Sequence, residues 1–183
     1  DFLKGNTCAF TGHRPYKLPW KYNERADGCI ALKTILTEQI MLLAKAGVTE
    51  FYSGMAEGTD LFCSEIVLNQ RKKNPALRLH CVLPCEGQAD MWSSSAQERY
   101  YGILRQADSV DYVSQKYYDK CMLDRNRRLV ERAGILLAVY NGEWRGGTAA
   151  TVRYARKIGR EIIVIDPVTQ HITHEGPASD LKI

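Results

Sequence analysis

The sequence predicts one α/β domain with a doubly wound, mainly parallel sheet and helices on both of its faces. Three observations carry that expectation. Short apolar runs alternate with helical segments almost throughout, the pattern of βαβ units. The run Gly134-Ile135-Leu136-Leu137-Ala138-Val139-Tyr140 is apolar at consecutive positions, as a strand covered on both faces must be. Two glycine-rich segments, Ser53–Asp60 and Gly146–Thr151, each follow an apolar run and precede a helical pattern.

The elements follow in order. Thr7–Thr11 reads as a short buried strand, followed by a polar turn and the Pro15–Trp20 loop. From about Glu24 to Ala46 the apolar positions Cys29, Leu32, Leu36, Ile40 and Leu43 step by three and four, the spacing of an amphipathic helix that Gly47 ends. Glu50–Ser53 is the next strand, and the helix after Gly58 runs to Lys73, where Asn74-Pro75 stops it. Leu79–Leu83 is a third strand, Ser93–Ala107 a helix, Ser109–Val113 a weak fourth strand, and Tyr118–Arg132 a charged helix. Gly134–Tyr140 follows, then a helix from Thr148 to Ile158 and a last strand at Glu161–Ile165. This places the core within 7–166 and leaves 167–183 as an irregular tail.

The 183 residues suffice to bury a core without staples, and 45% hydrophobic with 25% charged residues is ordinary for a globular domain. A net charge of +4 suits an anionic ligand but is too small to argue nucleic-acid binding by itself. The densest basic cluster, Arg125, Arg127, Arg128 and Arg132, lies on a helix and reads first as a solvated face. The six cysteines form no C-x-x-C pair, and the four histidines have no metal-ligand spacing with them, so no metal is expected. No apolar run approaches a membrane span and no signal peptide is visible, which leads to the expectation of a reduced, cytoplasmic protein.

Ligands of open parallel sheets bind beyond the carboxyl ends of the strands, where the strand order reverses. The polar turns fall at that edge. They gather Gly12, His13, Arg14, Gly54, Gly58, Thr59, Asp60, Asn141, Gly147 and Thr148 about one crevice, with Ser53 and Gly146 in the same turns. A strand that ends in glycine and enters a helix leaves backbone N–H groups and the positive helix end facing an anion. Gly54 and Gly58 also read as plain turn glycines, and Asp60 as an acid favoured by the helix dipole. Thr148 can cap its helix and lend its hydroxyl to a phosphate, while Arg14 and Arg125 are the candidates for a charge-assisted contact. His13 is suited to acid–base work by its intrinsic pKa, and equally to hydrogen bonding or stacking. Glu57, Asp60 and Glu143 are the carboxylates at hand, and the sequence selects none of them. Trp144 is placed to stack on a base or to pack over the sheet edge. Neither glycine turn matches G-x-x-x-x-G-K-[ST] or G-x-G-x-x-G, and there is no G-x-S-x-G elbow, which disfavours P-loop NTPases, ordinary dinucleotide dehydrogenases and α/β-hydrolases.

In order, these turns resemble the SLOG superfamily, which joins the DNA-processing SMF/DprA proteins to the LOG cytokinin-activating enzymes. Tyr52–Asp60 is similar to the S-G-x-A-x-G-x-D turn of the DprA branch, and Gly147–Thr151 through Val164 to its second glycine turn, helix and strand. Thr11–Pro15, the pair Arg125-Asn126, and Leu136–Gly142 before Gly146-Gly147-Thr148 look closest to the YpsA-like branch of small bacterial proteins. The resemblance covers about 7–166 and implies a Rossmann-like fold that holds a nucleotide or nucleotide-derived ligand, its phosphate on the glycine turns, with Asn126 among the site residues. It also implies pairing through helices, with Leu or Tyr between 94 and 132 as the surface of a homo-oligomer. The LOG motif P-G-G-x-G-T-x-x-E has its catalytic Glu where this chain has Thr151, and Asn141–Arg145 do not reproduce its lead-in, which counts against that hydrolase activity.

The first functional expectation is therefore a binding or sensor domain for a nucleotide or ADP-ribose-like molecule, with no cofactor required. The alternative is an enzyme acting on a nucleoside phosphate at its N-glycosidic bond. A third is single-stranded DNA binding in the DprA manner. The modest charge and the lack of a basic stripe interleaved with aromatics weigh against the last.

Overall fold

The computed structural model describes residues 5–176. Seven strands, β1 (Thr7–Gly12), β2 (Glu50–Ser53), β3 (Arg78–Leu83), β4 (Ser109–Tyr112), β5 (Ile135–Val139), β6 (Glu161–Ile165) and β7 (Ile172–Glu175), form one sheet in the order β4-β3-β2-β1-β5-β6-β7. All pairings are parallel except β6 with β7. The helices are α1 (Asp27–Lys45), α2 (Thr59–Arg71), α3 (Ser94–Gln106), α4 (Cys121–Arg132) and α5 (Gly147–Lys157).

Strand alternation splits the core into two layers. Cys8 and Phe10 of β1, with Ile135, Leu137 and Val139 of β5, pack with Leu32, Leu36 and Ile40 of α1 and with Leu61 and Val67 of α2. Ala9, Leu136 and Ala138 face the other way, against Leu129 and Val130 of α4 and Ala149, Val152 and Ala155 of α5. This two-sided burial is why the β5 run is apolar at every position. The chain runs outward from β1 through β2 and β3 to β4, then returns to place β5 on the opposite side of β1. The reversal opens a crevice at the carboxyl ends of β1 and β5, bounded by the turns after Gly12 and Val139.

Most boundaries shift by one to three residues from the sequence expectation, and two differences have a plain physical reason. The charged helix begins at Cys121 rather than Tyr118, because the preceding Ser-Gln-Lys-Tyr-Tyr-Asp-Lys stretch has no apolar face to bury and Tyr118 instead donates to Asp124 Oδ2 at 2.7 Å. The tail is not irregular throughout: Ile172–Glu175 adds as an antiparallel edge strand on β6, with Ile172 packed against the core. Four residues, two half-buried and two exposed, carry too short an alternation to read as a strand, and the free edge of β6 supplies what the pattern lacks. Residues 177–183 of that expected tail lie outside the described residues.

Leu36, fully buried under the sheet, should cost about 2–5 kcal/mol of unfolding free energy when replaced by Ala. The exposed Met41 of the same helix should cost no more than about 0.5 kcal/mol in Met41→Ala, both read from urea unfolding.

Candidate functional site

His13, the first residue beyond β1, is tied on three sides. Its N–H donates to Val139 O at 3.1 Å, extending the β1–β5 ladder by one residue. Its carbonyl accepts Thr59 N–H at 3.4 Å and the Thr59 hydroxyl at 3.0 Å. Its Nε2 accepts Asn141 N–H at 3.2 Å, so the neutral ring carries its proton on Nδ1. The side chain is 1% exposed, and Nδ1 has no hydrogen-bond partner among the described residues. Burial lowers the His13 pKa, against the hydrogen bond from Asn141 and the charge of Glu143. The ring is therefore neutral at pH 7, with an N–H aimed at nothing that accepts it.

The first glycine turn is internally spent. The Thr59 bonds to His13 occupy the start of α2, Ala56 N–H donates to Asp60 Oδ2 at 3.1 Å, and Met55 N–H donates to Ser53 Oγ at 3.1 Å. Gly58 holds φ at +86°, and a Cβ there would stand 2.8 Å from His13 O, so the turn requires glycine. Asp60 is buried with Oδ1 unpartnered among the described residues; burial raises its pKa, opposed by Arg125. The sequence offers both Ser53–Asp60 and Gly146–Thr148 as anion seats, the first also as a turn of plain glycines. They are not equivalent, because His13 O already fills the first.

Arg125 differs from expectation in the same way. Its guanidinium is 3% exposed and donates to Gly54 O, to Gln88 Oε1 at 3.3 Å and to Asn126 Oδ1 at 2.8 Å. It braces α4 against the first turn and stands beside Asp60, which leaves Arg14 as the exposed cation of the expected pair. Gln88, which also donates to Gly54 O at 3.2 Å, belongs to this brace; the sequence places its Pro84–Gln88 turn at the same edge, after the third strand, but gives the residue itself no role.

The second turn is open. Gly146 precedes α5 without any side-chain cap, and the first backbone bond of the helix is Ala150 N–H to Gly146 O at 3.0 Å. The N–H groups of the first turn of α5 have no intrahelical partner and point outward. Thr148 does not cap the helix as expected, since it lies inside the first turn rather than ahead of it. Thr151, which replaces the LOG glutamate, donates its hydroxyl to Gly147 O at 2.7 Å and stays within the helix.

Between β1, α2, α4 and α5 lies a cavity of about 250 Å³. Of the sequence candidates it brings together Gly12, His13, Arg14, Asp60, Arg125, Asn126, Gly147 and Thr148. Ser53, Gly54, Gly58, Thr59, Asn141 and Gly146 do not line it; they support it from behind or stand at its rim. Glu57 lies outside it, its carboxyl raised in pKa by partial burial against the charge of Arg14. The cavity also has Tyr16, Lys17 and Met122 in its wall. These were missed because they belong to a loop that only the 3-10 turn at Pro15–Lys17 folds back over the crevice, and to an α4 residue with no polar signature. Lys17 is ion-paired with Glu143. Trp144, 78% exposed, has the Arg153 guanidinium over its ring at 5.1 Å, so it does not pack on the sheet.

Sheet order, switch-point crevice and ordered glycine turns together define a Rossmann-like protein of the SLOG class. The chain belongs to the YspA SLOG family, whose model matches residues 8–169. It is 28% identical over 180 residues to a UPF0398 protein of Bacillus pumilus, covering 95% of this chain and 96% of that one. A UPF0398 protein of Halalkalibacterium halodurans is 26% identical over 150 residues, covering 80% and 78%. Among solved structures, DNA processing protein A of Helicobacter pylori, which has a single-stranded DNA binding mode, matches 97% of this chain and 72% of its own at a TM-score of 0.61 and 17% identity. DNA processing protein A of Streptococcus pneumoniae matches at 0.58 and 15% identity over 91% of this chain, which spans about half (52%) of that protein. These likenesses establish the fold. No helix among the described residues is long and apolar enough to cross a membrane.

Two outcomes test the geometry. Gly58→Ala should destabilise the fold by about 1 kcal/mol or more, because it forces a strained φ and a clash with His13 O; urea unfolding reads this. The folded-state pKa of His13 lies below its ordinary 6.5, so the unfolded chain binds more protons once the pH falls below about that value. Stability should be complete above pH 6.5 and fall on acidification. The difference in urea midpoint between pH 7.5 and pH 5 should shrink in His13→Gln.

Proposed function

We propose that the protein binds a nucleotide or nucleotide-derived ligand through its phosphate, in the cavity at the β1–β5 switch point. What carries this reading is the pairing of an uncapped α5 N-terminus with a buried, unpartnered Nδ1–H of His13 in the wall of one cavity, beside the cations Arg14 and Lys17. Leaving a buried donor unpaired costs about 1–3 kcal/mol, so a group that recovers the bond is favoured there. An oxyanion accepts from His13, from the first N–H groups of α5 and from Arg14 at once, which water does less well. A cavity of about 250 Å³ suits a phosphate and its sugar, and leaves the base toward the rim. The role is binding or sensing, with Thr151 supplying no carboxylate for glycosidic hydrolysis.

Single-stranded DNA is a second reading, which the exposed Trp144 with Arg153 on its ring favours, since aromatic and guanidinium platforms hold unstacked bases. The likeness to DNA processing protein A lends the same suggestion.

Thermal shift with AMP, ADP-ribose and adenosine tests the proposal. The two phosphorylated compounds should raise the melting temperature, with about 2.7 kcal/mol of added stability at 100 times Kd, while adenosine should not. Gly147→Val, which places a side chain at the mouth of α5, should abolish the shift without unfolding the protein, since a Cβ there meets only Asn126 Nδ2 at 3.9 Å. Equal shifts for adenosine and AMP, or an undiminished shift in Gly147→Val, would refute the placement. Binding of single-stranded oligonucleotide with a steep salt dependence, and none of AMP, would favour the second reading.

A further inference from the structure

The mouth of the cavity holds an arrangement that a ligand-free anion site does not explain by itself. Lys17 reaches back so that a Cβ built on Gly146 would stand 2.6 Å from its Nζ. An ammonium beside the first turn of α5 is repelled by the positive end of the helix dipole and has no reason to settle there alone. It is held by Glu143, whose Oε1 is ion-paired with Nζ. The same Oε1 lies 4.0 Å from His13 Nδ1 and would be 3.5 Å from a Cβ on Gly146. One carboxylate oxygen thus faces the lysine, the unpartnered buried imidazole N–H and the glycine at the head of α5. These are the groups that would surround an oxygen of a bound phosphate. The Glu143 backbone is held, its N–H donating to Asn141 Oδ1 at 3.0 Å and its carbonyl accepting the Tyr140 hydroxyl, so an exchange moves the side chain alone. Its side chain is 34% exposed, and it sits in a loop with Gly142 at φ +86°.

We propose that Glu143 is an internal stand-in for the ligand: its carboxylate holds Lys17 beside the unpartnered His13 Nδ1–H, and a phosphate monoester displaces it, taking over the lysine and accepting from Nδ1–H as well. Lys17 is then a ligand-binding residue, and Glu143 sets the affinity by competing for it. The exchange keeps charge balanced. The dianionic phosphate meets the lysine and the helix end, while the carboxylate moves into water, where it is well solvated. A monoanionic or neutral group would gain less from the exchange than Glu143 already has, so the plug selects for phosphate over weakly charged ligands. This rests on the reading of the cavity as a phosphate site.

Calorimetry on the full chain with inorganic phosphate and AMP as probes tests it. A charge-assisted bond gained or lost is worth about tenfold or more in affinity. Glu143→Gln should bind both probes at least that much tighter than wild type, and Lys17→Met at least that much weaker. Removing any negative charge near an anion site also helps binding, so the decisive comparison is the pair. In a Lys17→Met background, Glu143→Gln should change affinity only slightly, because the carboxylate no longer has the contact it competes for. A gain from Glu143→Gln that persists undiminished without Lys17 would overturn the plug. So would AMP binding to wild type with no gain in Glu143→Gln, an outcome that leaves the phosphate site standing. Failure of all four proteins to bind either probe would overturn both. In unaltered protein, the His13 Nδ1 resonance should move on adding phosphate; an unmoved resonance at saturation would count equally against the exchange.

Discussion

The site depends on the fixing of His13. Its amide continues the β1–β5 ladder, its carbonyl is filled by Thr59, and its ring accepts from Asn141. Those four bonds join the ends of β1 and β5 to the start of α2, so that three turns far apart in sequence behave as one rigid rim. Each is an ordinary hydrogen bond. Their consequence lies in what remains: with Nε2 accepting, the proton must sit on Nδ1, which is buried without a hydrogen-bond partner among the described residues, in a side chain that lines the cavity. A donor is thereby aimed and kept dry, which is the condition for recognising an acceptor strongly.

The two glycine turns divide the labour. At Ser53–Asp60 the free groups of a helix start are turned inward and satisfied by Ser53, Asp60 and the His13 carbonyl, with Arg125 and Gln88 bracing the turn from α4 and the β3 loop. At Gly146–Thr148 no side chain caps the helix, and the Lys17–Glu143 pair lies over Gly146 without bonding the first N–H groups of α5. Sequence pattern makes both look like anion cradles, since both are strand–glycine–helix junctions. What separates them is whether another segment of chain reaches the helix end first. The same logic applies to Arg125 and Arg14. Both are cations near the crevice, but one is buried and engaged by protein carbonyl and amide groups, the other exposed at the mouth.

Much of this was legible beforehand. The alternation of apolar runs with helical periodicity gave the order of strands and helices up to β6, and the doubly apolar Ile135–Val139 announced a strand covered on both faces. Parallel strands share a direction, so the turns that follow them had to emerge on one edge, which is why eight of the chosen residues line one cavity. Lys17, Tyr16 and Met122 were not legible, and of Gln88 only the edge on which its turn lies. A lysine in a loop and a methionine on a charged helix have no periodic or motif signature. Their place follows from the 3-10 turn after Arg14 and from the packing of α4 across the crevice. The edge strand Ile172–Glu175 escaped for a related reason, since its order comes from a partner strand and not from its own pattern.

The sequence by itself determined the fold class, the family and the strand ends that meet at the crevice, because periodicity and glycine placement are local properties written residue by residue. It could not decide which of two equivalent-looking helix starts stays open. Nor could it tell which arginine is spent as a brace, or that Glu143 and Lys17 close together over Gly146. Those are questions of which groups find one another across long stretches of chain. A hydrogen bond or ion pair removes a group from service only when the folded backbone brings its partner within reach, and only the tertiary structure supplies that distance.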